Sequence, residues 1–285
     1  SKDRPKNHFT IGITDDVTFT SLPWDCTYSS ESPQTRRSLF YGLGSDGTVS
    51  ANKNSIKIIA DHTEFYAQGY FVYDSKKSGS VTVSHLRFGP EPIHSSYLIS
   101  EADFVACHQE AFLEKTNLLE DAAVGATFLL NTSVPTDKVR EELPRQLQEE
   151  ILFKKIRFYV VDAYRIAQEV GLGKRINTVM QTCFFALSKI LSNPIEAIKE
   201  EIANAYGKAG EEVVAGNLRA VDRALENLRE IIPQHADSKL GLTPWIPSGA
   251  PEFVQKVLAP IMAGEGDRLP VSAFPATSAR RTVWP

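Results

Sequence analysis

Apolar positions along this chain recur with two periods in turn, and their succession predicts an α/β fold. Phe9–Ile13 alternates apolar and polar residues, the period of two that suits a short strand. Arg37–Tyr41 leads into Gly42-Leu43-Gly44-Ser45-Asp46-Gly47, and Ala51–Ala60 follows with Ile56, Ile59 and Ala60 at helical spacing. That stretch reads as strand, glycine turn, helix. Tyr66–Tyr73, Ser80–Leu86, Tyr97–Ala106, Ala126–Leu130 and Arg157–Asp162 read as further strands. Asp103–Ala106 is nearly all apolar, as in a strand covered on both faces. Helical patterns fall at Glu110–Asp121, at Thr136–Glu150 with an interruption at Pro144, at Ala163–Val170, at Asn177–Leu191, from Asn193-Pro194 to Tyr206, and at Glu211–Ile232.

The alternation predicts a layered α/β fold: a mostly parallel sheet flanked by helices, with a helical C-terminal part. Residues 1–232 are expected to form one α/β domain. From Pro233 on, Pro and Gly punctuate the chain so densely that 233–285 is expected to be an extended linker.

Composition narrows the function classes. The chain has 285 residues, 42% hydrophobic and 23% charged, with a formal net charge of -4, so it is built to fold and offers no basic run for nucleic acid or a membrane surface. Cys26, Cys107 and Cys183 are far apart, with no CxxC pair. That argues against a disulfide framework, a zinc site or an iron–sulfur cluster carried by this chain, and the expected metal set is empty. No stretch reaches the roughly 20 apolar residues of a membrane helix, and no apolar run follows the charged Ser1–Asn7 as in a signal peptide. The expected location is the cytoplasm.

The chemistry concentrates at the first glycine turn. Gly42, Gly44 and Gly47 satisfy the GxGxxG spacing between a strand and a helix. Such glycines permit a tight turn and close backbone approach, and the helix N-terminus offers unpaired N–H groups to a phosphate. Ser45 and Thr48 add hydroxyl donors. The same spacing also fits a tight turn with no ligand. At the end of the next strand, Asp74 is followed by Ser75-Lys76-Lys77. Two lysines there suit an additional phosphate on a ribose, as in NADP or coenzyme A, or merely a solvated turn. His85, Arg87 and His94 cluster in sequence without metal-ligand spacing; Arg87 could face an anion or a neighbouring domain. Cys107 and His108 are adjacent on a strand and point to opposite faces, which disfavours a nucleophile–base pair. Gly171-Leu172-Gly173-Lys174-Arg175-Ile176-Asn177 is a second glycine turn, either a helix cap or a second ligand wall. No catalytic constellation appears.

Phe40–Ile59 (FYGLGSDGTVSANKNSIKII), Tyr66–Pro90 with its YDSKKSG and HLRFGP motifs, and Phe104–His108 (FVACH) resemble the central domain of the pyruvate:ferredoxin (flavodoxin) oxidoreductases. Lys6–Val17, Val161–Thr178 and Tyr206–Asp222 extend the resemblance from about Lys6 to Phe274, whereas Trp24–Gln34 and Ala276–Pro285 depart from it. The resemblance implies a parent enzyme that oxidatively decarboxylates pyruvate to acetyl-CoA and passes electrons to ferredoxin or flavodoxin. It further implies a parent homodimer holding thiamine diphosphate, magnesium and [4Fe-4S] clusters in other domains of the polypeptide. The resemblance also implies that this part of the parent binds coenzyme A and is inactive alone. Carried over position by position, the implied contacts are Gly44, Ser45, Asp46, Gly47, Thr48, Lys76, Asn177 and Asn217; Gly42 and Lys77 join them from the turn readings above. Two other readings stay open: an NADP-binding oxidoreductase domain, and a docking domain without ligand.

Overall fold

The computed structural model describes residues 7–25, 28–44, 46–73, 81–207, 210–232 and 235–274. They divide into a body, Glu31–Leu242, and a smaller unit drawn from Ser1–Ser30 and Thr243–Pro285.

The body is built on seven strands: β1 (Arg36–Leu43), β2 (Tyr66–Tyr73), β3 (Val81–Gly89), β4 (Ala102–Cys107), β5 (Ala122–Asn131), β6 (Arg157–Val161) and β7 (Arg229–Ile231). Their order in the sheet is β2-β3-β1-β4-β5-β6-β7. β1, β4, β5 and β6 are mutually parallel; β3 runs against β1 and β2 against β3, and β7 closes the far edge antiparallel to β6. Five of the seven strands therefore share one direction, which makes the sheet mixed but mostly parallel.

Strand periodicity sorts the side chains into two cores. On one face, Phe40, Leu86, Phe104 and Leu129 pack under helices α1 (Thr48–His62), α4 (Ala163–Glu169), α5 (Asn177–Ser188), α6 (Pro194–Tyr206) and α7 (Glu211–Asn227). Phe184 of α5 is the hub, with ring centroids 5.0 Å from Phe40 and 5.1 Å from Phe104, both edge-on. On the other face, Leu39, Val105, Phe128, Leu130 and Phe158 pack under Leu118, Leu119 and helices α2 (Val139–Glu142) and α3 (Arg145–Phe153).

Four local expectations give way. Phe9–Ile13 forms one isolated bridge, Thr10 to Ser21, and not a strand; Phe9, Ile11 and Ile13 stay exposed, so alternation there has no sheet to serve. Glu110–Asp121 is helical only as a 3₁₀ turn over Glu110–Glu114, because adjacent Leu118 and Leu119 are both fully buried and an Asn117 turn redirects the chain. The fourth strand starts at Ala102 and not at Tyr97. The long helix from Glu211 stops at Asn227, and Arg229–Ile231 becomes β7 because the edge of β6 supplies a ladder for it.

In the smaller unit, the Asp15 carboxylate gathers the N–H and hydroxyl groups of Thr18 and Thr20 at 2.6–2.9 Å. Asp16 accepts from the Ser272 N–H at 2.9 Å and from its hydroxyl, and Val271 N–H donates to the Thr14 carbonyl. A stretch of π-helix over Val254–Leu258 leads into helix α8 (Ala259–Met262).

Candidate functional site

The chain leaves β1 through α1 on one face of the sheet towards β2 and β3. It leaves β4 through the 108–121 segment on the other face towards β5. Strand order thus reverses between β1 and β4, and the crevice at their carboxyl ends is where an open α/β sheet accommodates ligands. The glycine bend follows β1; Cys107-His108-Gln109 ends β4.

Two glycines are dictated by close packing. A Cβ on Gly42 would lie 2.2 Å from Thr48 Oγ1. Gly47, the residue that starts α1, has φ +85°, and a Cβ there would lie 2.3 Å from Asn177 Nδ2. Gly44 is exposed in the bend.

Asp46 organises the bend from within. Its carboxylate accepts the Leu43 N–H at 2.8 Å, the Thr48 N–H at 2.9 Å, the Thr48 hydroxyl at 2.6 Å and the Gln109 amide at 3.1 Å. Burial pushes its pKa up, but hydrogen bonds from Thr48 and Leu43 outweigh that and hold it below the ordinary carboxylate value. An ionised carboxylate only accepts, so Thr48 spends its one hydroxyl proton on Asp46. His108 Nδ1 lies 2.8 Å from the same oxygen and must therefore be the protonated, donating nitrogen. Burial lowers the His108 pKa to about 4, opposed by Asp46, so the ring is neutral at pH 7. Gln109 continues the chain to Tyr164 of α4 at 2.7 Å, and Asn131 at the end of β5 bonds both the His108 carbonyl and the Ala163 N–H.

Opposite the bend stands the start of α5. Gly171 and Gly173 take φ of +82° and +64°, and Asn177 is the first residue of the helix. Gln181, one turn on, donates to Ala51 O at 3.0 Å and Ser55 Oγ at 2.9 Å of α1, which fixes Asn177 over Gly47. Asn177 Oδ1 is buried without a hydrogen-bond partner among the described residues. Asn217 stands behind it: Thr178 donates to Asn217 Oδ1 at 2.6 Å, and Asn217 Nδ2 donates to Val213 O. The oxygen end of that amide braces α5, and the nitrogen end is tied to Asn217's own helix, α7.

The structure thus brings Gly42, Gly44, Asp46, Gly47, Thr48 and Asn177 together and sets Asn217 one layer back. Ser45, Lys76 and Lys77 lie outside the described residues. Asp46 places a negative charge at the bend, so an anion there must use donors that it leaves over: the first-turn N–H groups of Val49 and Ser50 and the Asn177 amide. The reading of residues missed Gln109, Tyr164 and the bond from His108 to Thr48. The only available signal was that they follow strand ends.

Other candidates disperse. Arg87 is buried in an ion pair with Glu31, its guanidinium 5.2 Å from the Tyr97 ring. His85 accepts the Ile99 N–H, and burial with nearby Arg87 lowers its pKa to about 4; His94 is exposed. Cys107 donates to Gln109 O, and burial pushes the thiol up to about 12. Among the described residues no three or more His, Cys, Asp or Glu side chains gather to hold a metal, and no helix is long and apolar enough to cross a membrane.

Residues 37–227 match the family model described as pyruvate ferredoxin/flavodoxin oxidoreductase, and residues 240–279 match a domain of unknown function. The chain is 53% identical over 279 residues to the putative pyruvate-flavodoxin oxidoreductase of Synechocystis, covering 96% of this chain and 23% of that protein. To the pyruvate:ferredoxin oxidoreductase of Moorella thermoacetica it is 52% identical, with 95% and 23% covered. It therefore spans about a quarter of the length of these relatives. The fold is shared with pyruvate oxidoreductase subunit PORC of Thermotoga maritima at TM-score 0.56 and 22% identity, over 69% of this chain and 98% of that one. With family model, relatives and sheet in agreement, the chain belongs to the pyruvate ferredoxin/flavodoxin oxidoreductase family.

Proposed function

We propose that this chain is the part of a cytoplasmic, homodimeric pyruvate:ferredoxin or pyruvate:flavodoxin oxidoreductase that holds coenzyme A. The observation that carries the reading is the close pairing of Gly47 with the Asn177 side chain at the β1/β4 crevice, beside the start of α1, where no side chain among the described residues caps the first-turn N–H groups. Main-chain N–H groups at the bend and the Asn177 amide take the phosphates, and Lys76 and Lys77 supply the cationic partner for the ribose phosphate. Asp46 and Thr48 hold the bend in shape. Asn217 braces the helix that carries Asn177.

The contribution to catalysis is position. A nucleotide anchored here carries a thiol on a long flexible arm towards chemistry performed elsewhere in the enzyme, and anchoring raises its effective concentration there. Thiamine diphosphate, magnesium and [4Fe-4S] clusters belong in this reading to other domains, as does the contact with ferredoxin or flavodoxin. Alone, the chain binds and does not turn over.

Titrating the purified chain with coenzyme A, dephospho-coenzyme A and NADPH tests this. Coenzyme A should bind more tightly than the dephospho form, Lys76→Gln with Lys77→Gln should erase the difference, and Asn177→Ala should weaken coenzyme A about tenfold, the loss of roughly one charge-assisted hydrogen bond. NADPH binding in preference to coenzyme A, or no binding of any of the three, overturns the proposal.

A further inference from the structure

The opposite edge of the sheet, where the parallel strands begin, holds a second feature of different chemistry. A cavity of about 420 Å³ opens beside the end of α5, against the amino-terminal residues of β1, β4 and β6 and Thr127 in the middle of β5. That volume lies within the range of small-molecule sites, roughly 300–1,000 Å³. Phe65 and Phe104 give it apolar walls, and Arg36, Arg157 and Lys189 reach it from three different elements.

The charges are unbalanced. Asp103 is the one carboxylate in the lining, and Arg37 already engages it through its N–H at 2.8 Å, Nε at 3.3 Å and Nη2 at 3.4 Å. Arg157 donates to a neutral partner, the Thr127 hydroxyl at 2.6 Å. The side chains of Arg36 and Lys189 have no hydrogen-bond or ion-pair partner among the described residues. Lys189 also follows the last turn of α5 with φ +53°, a left-handed conformation that costs a side-chain-bearing residue about 1–2 kcal/mol. The two arginines offer planar groups with several fixed donors, where Lys189 offers a single compact ammonium, so the arginines are the stronger anion donors.

We infer that this cavity is a binding site for a small organic anion, one with a carboxylate or phosphate head for Arg36 and Arg157 and an apolar body against Phe65 and Phe104. It is separate from the glycine bend: it lies at the other end of the strands and draws on none of the same residues.

Side-chain Nε–Hε signals of the arginines in the purified full chain provide the test, with benzoate, phenyl phosphate and neutral benzamide as probes. Benzoate or phenyl phosphate, whichever head the site prefers, should shift the Arg36 and Arg157 signals saturably. Benzamide should not. The double variant Arg36→Gln with Arg157→Gln should weaken the preferred anion at least tenfold while leaving the far-UV circular dichroism and the melting temperature unchanged. Saturating coenzyme A should leave the shifts in place. Equal response to benzamide, absence of saturable shifts in the wild type, or displacement by coenzyme A overturns the inference. If the double variant fails to fold, the benzoate–benzamide comparison on the wild type decides. Failure of coenzyme A to bind anywhere counts against the coenzyme reading and leaves this site untouched.

Discussion

The two ends of the parallel strands treat charge in opposite ways. At the carboxyl end, the bend is shaped by a web that runs from buried His108 and Thr48 through Asp46 and Gln109 to the exposed Tyr164, whose members satisfy one another and leave over backbone N–H groups and a neutral amide. At the amino end, three cations line an open cavity with little holding them. The contrast teaches that the first site is continuous with the fold, whereas the second is attached to it. Substitutions at the carboxyl end should therefore cost stability along with binding, and those at the amino end should cost binding alone.

The largest effect is expected for Asp46→Ala. It removes the acceptor of four hydrogen bonds and strands Leu43 and Thr48 N–H groups at a part-buried bend. Chemical denaturation should register a loss of about 2–4 kcal/mol. A loss below half a kcal/mol would mean that the bend holds its shape without the carboxylate.

Next comes pH. Unfolded histidine binds a proton below about pH 6.5, whereas folded His108 resists until about 4. The unfolded state thus takes up the extra proton, and stability that is complete above 6.5 is lost as pH falls towards 4, by about 3 kcal/mol. His85 is depressed to about the same value by burial, so it contributes in the same window. His108→Gln should flatten the slope of unfolding free energy against pH between 6.5 and 4 to roughly half. An unchanged slope would contradict the neutral, donating ring.

The smallest effect belongs to the other edge. Arg36→Gln, Arg157→Gln and Lys189→Gln each remove an exposed cation without a carboxylate partner, and each should leave the unfolding free energy within about 0.5 kcal/mol. A loss above 1 kcal/mol in any of them would make that residue structural and blunt the distinction between the ends.

How far the residues alone reach depends on what kind of contact sets each feature. The bend after β1 was legible because its glycines are local: Gly42 must admit Thr48, six positions on, and the helix period begins at once. The apolar runs of β4, β5 and β6 were legible because burial on both faces leaves little room for polar residues. β7 was not, since three residues carry no period and the edge of β6 decides their pairing. Arg87 was open in sequence because its partner Glu31 lies 56 positions away, on a loop whose path is a tertiary matter. The bond from His108 to Thr48 spans 60 positions and ties the end of β4 to the start of α1. Asn217 resembles a surface helix residue until α5 and α7 are packed.

The single proton on the Thr48 hydroxyl has one more consequence. Because it is committed to Asp46, the adjoining imidazole is locked in one tautomer, with its hydrogen on Nδ1. Ring-nitrogen resonances separate the two neutral tautomers widely, so the molecule carries a native spectroscopic reporter at the mouth of its crevice. Anything that enters there and disturbs the Asp46–Thr48 pair will announce itself in the spectrum of a residue it never touches.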